Sequence, residues 1–356
     1  MNGSSGNNAS PYQAFRRARQ AVDKFMTSWL ESGNGVWKEE AATERLLTEA
    51  FPRIRFQTFT ASEEADNGGD WLWWWVDRDG TCFGLLIQAK ILKVRGRRWS
   101  VDFEYTTKGD DRTQISKLLR SSDLFDVAAA YVLYCGDAEY RTSIECDRRH
   151  EDAACKDRGR VGVATLSALV AQTAVDFYGK DAGVWAFHDA VPIEDIAAPD
   201  GQDEPIVPLA RGLAGDLDRF LREPQRGSRR VAKELLRPVQ KIRDGQFAGA
   251  AVMQRAAQVT GGLFQDIPND HGHFPVPYLA HMLRGLRAEV PDYVRDVLEG
   301  RTPPAWVTER VAGIVVIPDA DAPASPDITM AGDWELQQLS RPEAPEAPYG
   351  TSGQVA

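Results

Sequence analysis

An acid, an amide and an amine stand at the ends of two strongly β-prone runs, and together they are equipped for phosphodiester chemistry. Asp70 opens DWLWWWVD (70–77), while Gln88 and Lys90 lie near the close of CFGLLIQAKIL (82–92). Asp70 can give carboxylate oxygen to Mg²⁺, a hard cation that prefers oxygen and keeps several waters. Gln88 can add a neutral carbonyl oxygen to the same ion. Lys90 can stabilise charge on a phosphate or orient the attacking water. A metal held there lowers the pKa of that water and offsets the developing negative charge. One carboxylate and one amide make a thin metal site, so another acid is expected from the preceding helix. Glu40 is the first choice and Glu44 the alternative, both near apolar Leu47 on the side that should approach the sheet. Glu64, just before the paired glycines, is a third candidate.

These residues converge only if the two runs pair. Arg78-Asp79-Gly80-Thr81 between them is a hairpin turn signal. With the turn centred on Asp79-Gly80, paired positions sum to about 160, setting Asp70 across from Lys90 and Leu72 across from Gln88. Directly opposed residues share a face and side chains alternate along a strand. Asp70, Gln88 and Lys90 are therefore expected on one face at the open end of the hairpin, and a slip of one residue would separate them.

The elements that must hold this hairpin read as follows. Pro11 to Glu31 carries Phe15, Ala18, Val22, Phe25, Met26 and Trp29 at helical spacing, and Val36 to Phe51 reads as a second helix stopped by Pro52. Ile54, Phe56 and Phe59 suggest a first strand, and Trp99 to Tyr105 another. A helix over 111–124 precedes a short buried strand, AAAYVLYC (128–135), and a helix is expected over 161–177. From about residue 207 the pattern turns helical, with segments near 207–222, 228–244, 248–262 and 276–299. VAGIVVIP (311–318) reads as one last buried strand. Residues 1–10 and those from 319 onward are poor in core formers and are expected to be disordered. The domain reading is a core over 11–200, then a mainly helical extension with a final strand over 201–318.

Composition narrows the classes. Of 356 residues, 43% are hydrophobic and 26% charged, ordinary for a globular chain. No apolar run approaches the ~18 residues of a membrane helix, and the polar start MNGSSGNNAS lacks a secretory core, so no membrane association and a cytoplasmic place are expected. Four cysteines make no disulfide framework. Cys135, Cys146, His150 and Cys155 match no standard zinc spacing, which favours reduced, structural thiols. A net charge of −10 argues against a protein that coats DNA, but not against an enzyme with a local basic groove. Lys93, Arg95, Arg97 and Arg98 follow the Lys90 strand and are the expected nucleic-acid contacts. A second basic cluster, Arg226 to Arg243, reads equally well as a solvated helix face.

Each of these readings has a plainer rival. Asp70 after two glycines is also a turn cap, and Lys90 is also a snorkelling lysine. The tryptophans at 71, 73, 74 and 75 fit core packing better than a base-stacking platform. His271 and His273 fit a loop, and Lys108, Asp110 and Asp111 fit a helix start.

The order helix-Glu, Gly-Gly-Asp-Trp (68–71), Gln-Ala-Lys (88–90) resembles the PD-(D/E)xK nuclease superfamily, in particular its Mrr-like branch, where Gln often replaces the last acid. More narrowly, it resembles an uncharacterised bacterial family with a Gly-Ala-Asp-Trp…Gln-Ala-Lys signature. Segments 114–118, 133–135, 291–294 and 315–317 add to that likeness, which then covers roughly 36–318. The resemblance implies an α/β (α+β), restriction-endonuclease-like fold with a mixed central sheet flanked by helices. It also implies dependence on Mg²⁺ (or Mn²⁺) and a DNA substrate, with Asp70 as the metal aspartate, Gln88 at the acid-or-Gln position and Lys90 as the catalytic lysine. Gln114 matches a recurrent helix glutamine. Gln88 departs from the acid most members carry, which bears on metal affinity. The resemblance further suggests bacterial defence against phage or foreign DNA. The expected function is a Mg²⁺-dependent endonuclease, its helical C-terminal half contributing substrate or partner binding, with oligomerisation left open. Its rivals are a catalytically silent nuclease fold that binds nucleic acid or a protein, and an effector nuclease awaiting an activating partner or signal.

Overall fold

The computed structural model describes residues 9–32, 37–59, 69–95, 98–106, 112–144, 155–197, 203–208, 212–245 and 261–320. All of them belong to one packing unit, Met1–Ala324. The fold is mixed α/β: among the described residues, eight strands form a sheet with parallel and antiparallel neighbours, flanked by helices. Its strands are β1 (Arg55–Thr58), β2 (Trp71–Val76), β3 (Cys82–Ile91), β6 (Ala128–Tyr134), β7 (Val163–Ser167), β8 (Val191–Pro192), β9 (Leu286–Arg287) and β10 (Gly313–Pro318). They run in the order β1-β10-β2-β3-β6-β7-β8, with β9 paired to β3. A separate ribbon joins β4 (Lys93–Arg95) to β5 (Arg98–Ser100). No helix among the described residues is long and apolar enough to cross a membrane.

β2 and β3 are buried along their whole length, which is why their sequences read as nearly continuous apolar runs. Trp73 meets Phe15 of α1 (Pro11–Ser32) at 5.8 Å between ring centroids, and Trp74 on the other face meets Tyr293 at 6.0 Å. The four tryptophans are core, as their packing predicted. α1 buries Phe15, Ala18, Val22 and Met26 at spacings of three and four, and α2 (Glu39–Ala50) packs beside it. Gly84 exists for close approach: a Cβ there would lie 2.6 Å from the Trp74 ring.

The hairpin register differs from the expected one. Trp71 pairs with Ile87 and Val76 with Cys82, while the Asp77 N–H donates to the Thr81 carbonyl at 2.8 Å. The loop is thus three residues, Arg78-Asp79-Gly80, with Gly80 at φ +89° as such loops require. Relative to expectation the pairing has moved by two residues, so Leu72 faces Leu86 rather than Gln88. An even shift leaves every side chain on its expected face.

Several elements depart from the sequence reading. The helix expected over 161–177 is β7 followed by α4 (Ala168–Tyr178), since its first half pairs antiparallel with β6. The helix expected over 276–299 is three elements: α6 (Tyr278–Leu283), β9 and α7 (Asp292–Leu298). Gly285 lies so close to the Gly84 backbone that a Cβ would sit 2.3 Å from its carbonyl oxygen, and Pro291 caps α7. Of the strand expected over 99–105 only Trp99 and Ser100 form one, as part of β5 (Arg98–Ser100). The helix expected near 207–222 is Gly215–Arg222, and α5 (Gly227–Gly245) matches its expectation closely. The segment 246–260, the first eight residues and those beyond 320 lie outside the described residues. Residues 201–318 do not stand apart as an extension: β10 inserts between β1 and β2, and α5 packs on β2, β3 and β7.

Candidate active site

The end of the hairpin opens into a cavity of about 650 Å³, walled by α2, the ends of β1 and β3, the start of β2 and α3 (Gln114–Phe125). Asp70, Gln88 and Lys90 all line it. Asp70 is half-buried just before β2; its N–H donates to the Ile87 carbonyl at 2.8 Å, and its Oδ2 accepts from the Ala89 N–H at 2.8 Å. That second bond ties the carboxylate to β3 and fixes its direction. Gln88 is 2% exposed, and its Oε1 has no hydrogen-bond partner among the described residues. Lys90 is 8% exposed and donates from Nζ to Gln114 Oε1 in a short contact.

Burial pushes the Lys90 ammonium below its ordinary range; the carboxylates of Glu39, then Asp70 and Asp102, pull it back up, and Lys93 pushes it down. Glu39 is therefore the acid with the strongest hold on Lys90, and its Oε1 accepts from the Ile91 N–H at 3.3 Å. The sequence reading preferred Glu40; Glu40 and Glu44 also line the cavity, but both are exposed. Glu64 lies outside the described residues. Gln114 opens α3, whose N-cap Thr113 accepts from the Ser116 N–H, and so the helix start is pinned where Gln114 reaches Lys90.

Sequence reasoning missed Glu39, Lys117 and Tyr105. Glu39 is four residues before buried Thr43, whose hydroxyl bonds the Glu39 carbonyl and Tyr134, so the two share the inward face of α2. Lys117, 5% exposed, follows Gln114 by one turn on the same cavity wall. Tyr105 stands exposed at the rim, its carbonyl accepting from the Gln114 N–H at 2.9 Å.

Two expected basic regions part ways. Lys93 lies close enough to act on Lys90, and Arg98 is exposed on β5; the Arg95 side chain and Arg97 lie outside the described residues. In the second cluster, Lys233 is fully buried against Asp203 at 3.0 Å, Arg230 pairs with Glu234 and Arg243 with Asp270. Those cations hold α5 in place through buried or half-buried ion pairs, which departs from the solvated helix face expected as the alternative. His271 and His273 are exposed in a loop, and Lys108, Asp110 and Asp111 lie outside the described residues. Cys135 and Cys155 are buried and form no disulfide among the described residues, while Cys146 and His150 lie outside the described residues.

The donors suit a hard cation. A buried amide oxygen without a partner, beside an oriented carboxylate, offers oxygen ligands of the kind Mg²⁺ takes, and Mg²⁺ commonly needs only one or two carboxylates with water completing its shell. Among the described residues no three His, Cys, Asp or Glu side chains gather as a metal-holding group, so any such ion would lean on Gln88.

These features define a mixed α/β protein with a polar, lysine-bearing cleft at the end of its central strands. The chain belongs to the family of unknown function DUF6615, whose model matches residues 13–322. No curated protein was found to match it.

Proposed function

We propose that this protein is a divalent-metal-dependent nuclease of the restriction-endonuclease-like kind, hydrolysing phosphodiester bonds in DNA. The observation that carries the reading is the placement of Gln88 and Lys90, both nearly fully buried, on the floor of a cavity that also takes in Asp70 and the acids of α2. A lysine and an amide oxygen without a partner among the described residues are costly to bury in a fold that makes no use of them. Asp70, Gln88 and one of Glu39 or Glu40 would hold Mg²⁺ or Mn²⁺, which when bound supplies a positive charge to polarise the phosphate and acidify a water. Asp70 is oriented for this by the Ala89 N–H, and Lys90 is held towards the cavity by Gln114. Lys90 places its amine against the non-bridging oxygens as charge builds there, and the carboxylates of Glu39 and Asp70 oppose the lowering of its pKa by burial. A cytoplasmic site of action and a role in defence against foreign DNA accord with this reading by analogy of fold.

Incubation of plasmid DNA and of single-stranded circular DNA with the purified protein and Mg²⁺ or Mn²⁺ tests the proposal. Wild type nicks or cuts, and Lys90→Ala does not; equal activity in both removes Lys90 from the mechanism. A second reading has its own support in neutral Gln88 and the small carboxylate set among the described residues: a silent nuclease fold that binds nucleic acid or a protein. Calorimetric titration with Mn²⁺ separates the two, since the silent form keeps affinity for DNA without taking up metal. Metal uptake without cleavage points instead to an effector nuclease that awaits a partner or signal.

A further inference from the structure

The cavity's size, charge and rim bear on what kind of strand it takes. About 650 Å³ falls within the ~300–1,000 Å³ that encloses a single small ligand, enough for a nucleotide or two and far too little to admit a duplex. The groups that would meet a phosphate, Lys90 and Gln88, lie at the bottom of this space, so the strand must bring its phosphate inward. Charge does not draw it there. Among the described lining residues four carboxylates (Glu39, Glu40, Glu44, Asp70) face two ammonium groups (Lys90, Lys117), within a chain of net charge −10. Duplex-binding proteins obtain their affinity largely by neutralising many phosphates with basic side chains, and this wall is acid-rich. Affinity must then come from another source. Tyr105 supplies one: it lines the cavity and is 56% exposed at its rim, and Phe59 stands half-buried on the cavity lining just after β1. Bases free of a duplex stack on such rings, and this contact tolerates any sequence.

We infer that the site takes an unpaired strand, with a base next to the bound phosphate stacked on Tyr105. This rests on the cavity handling nucleic acid, as proposed above, but not on its cutting it. The Tyr105 carbonyl accepts from the Gln114 N–H, which ties its backbone to the residue that bonds Lys90.

Fluorescence anisotropy with 5′-labelled dT12, rU12 and a twelve-base-pair DNA duplex, all in EDTA, tests the inference without cleavage. Either single strand binds at least roughly tenfold more tightly than the duplex, and Tyr105→Ala weakens single-strand binding by on the order of tenfold while Tyr105→Phe retains it. The dT12 and rU12 arms tell DNA from RNA as the source of the strand. Unchanged thermal melting of Tyr105→Ala, expected for an exposed side chain, excludes a folding defect. Equal or tighter duplex binding, no binding of any of the three probes, or full binding by Tyr105→Ala overturns the inference. Plasmid cleavage by a protein that prefers duplex would overturn it and leave the nuclease reading standing; single-strand binding lost in Tyr105→Ala, with no cleavage under any metal, would do the reverse.

Discussion

Replacing Lys90 first by alanine and then by methionine separates what its stem does from what its ammonium does. Alanine removes three buried methylenes beyond Cβ, at about 0.8 kcal/mol each, for a loss of roughly 2–2.5 kcal/mol. In a domain of this size that lowers Tm by about 3–4 °C. Methionine keeps the length of the stem. It gives up the charged hydrogen bond to Gln114 Oε1, worth roughly 1.5–3 kcal/mol, but also relieves the cost of burying an ammonium that is only 8% exposed. Gln114 is half-buried on the cavity wall and can turn to water, so Lys90→Met is expected to lie within about 1 kcal/mol of wild type. The pH dependence follows from the lowered Lys90 pKa. Between that lowered value and the ordinary 10.5, the unfolded chain holds a proton that the folded chain has released. Stability of wild type therefore rises with pH across this window, and the methionine variant lacks the rise. Thermal melts from neutral pH to pH 10, alongside plasmid cleavage, check both parts. Neither variant should cleave. A methionine variant that loses more than about 3 kcal/mol would make the ammonium a structural ion-pair partner, and one that still cleaves would end its catalytic role.

Three other substitutions or probes follow from the packing. Gly84→Ala drives a Cβ to 2.6 Å from the fully buried Trp74 ring and should cost roughly 1–3 kcal/mol in urea denaturation; a loss under about 0.5 kcal/mol would show that Trp74 is free to shift. Thr43→Val takes away the hydroxyl bonded to Tyr134 at 2.9 Å and should cost about 1–3 kcal/mol, most of it recovered in the Thr43→Val/Tyr134→Phe double variant; additive losses would place the Tyr134 hydroxyl in another bond. Burial pushes the Cys82 thiol up to about 12, so at pH 7–8 native protein should resist alkylation at Cys82 and react there only when unfolded; mass spectrometry showing rapid native labelling would contradict its burial.

Much of the scaffold was legible because its signals are local. The 3.6-residue spacing of Phe15, Ala18, Val22 and Met26 and the unbroken apolar runs of β2 and β3 each announce their element. The hairpin error was forgiving: the loop is Arg78-Asp79-Gly80, so paired positions sum to 158 rather than about 160, and that difference of two is the period of a strand. Asp70, Gln88 and Lys90 thus line one cavity in a register that was not foreseen. The helical acid is only partly legible: the sequence favours Glu40, three residues before Thr43 near the helix start, and the structure adds Glu39, one turn before Thr43, on the same cavity lining. What lay beyond reach was non-local. Val163–Ser167 is apolar enough for helix or strand and becomes a strand because β6 offers an edge. β10 reaches its place between β1 and β2 from more than two hundred residues away, and no periodicity in the chain encodes that neighbour. Tyr105 escaped for a different reason: its importance lies in being exposed beside a cavity, which only the assembled walls reveal.

The most direct measurement is an anomalous-scattering map from a crystal of the protein soaked in Mn²⁺. A divalent cation coordinated by an Asp70 carboxylate oxygen and Gln88 Oε1 at roughly 2.1 Å, within reach of Glu39 or Glu40, is the predicted result. A saturating soak that leaves this cavity without an anomalous peak, or puts the ion on side chains elsewhere, would contradict it.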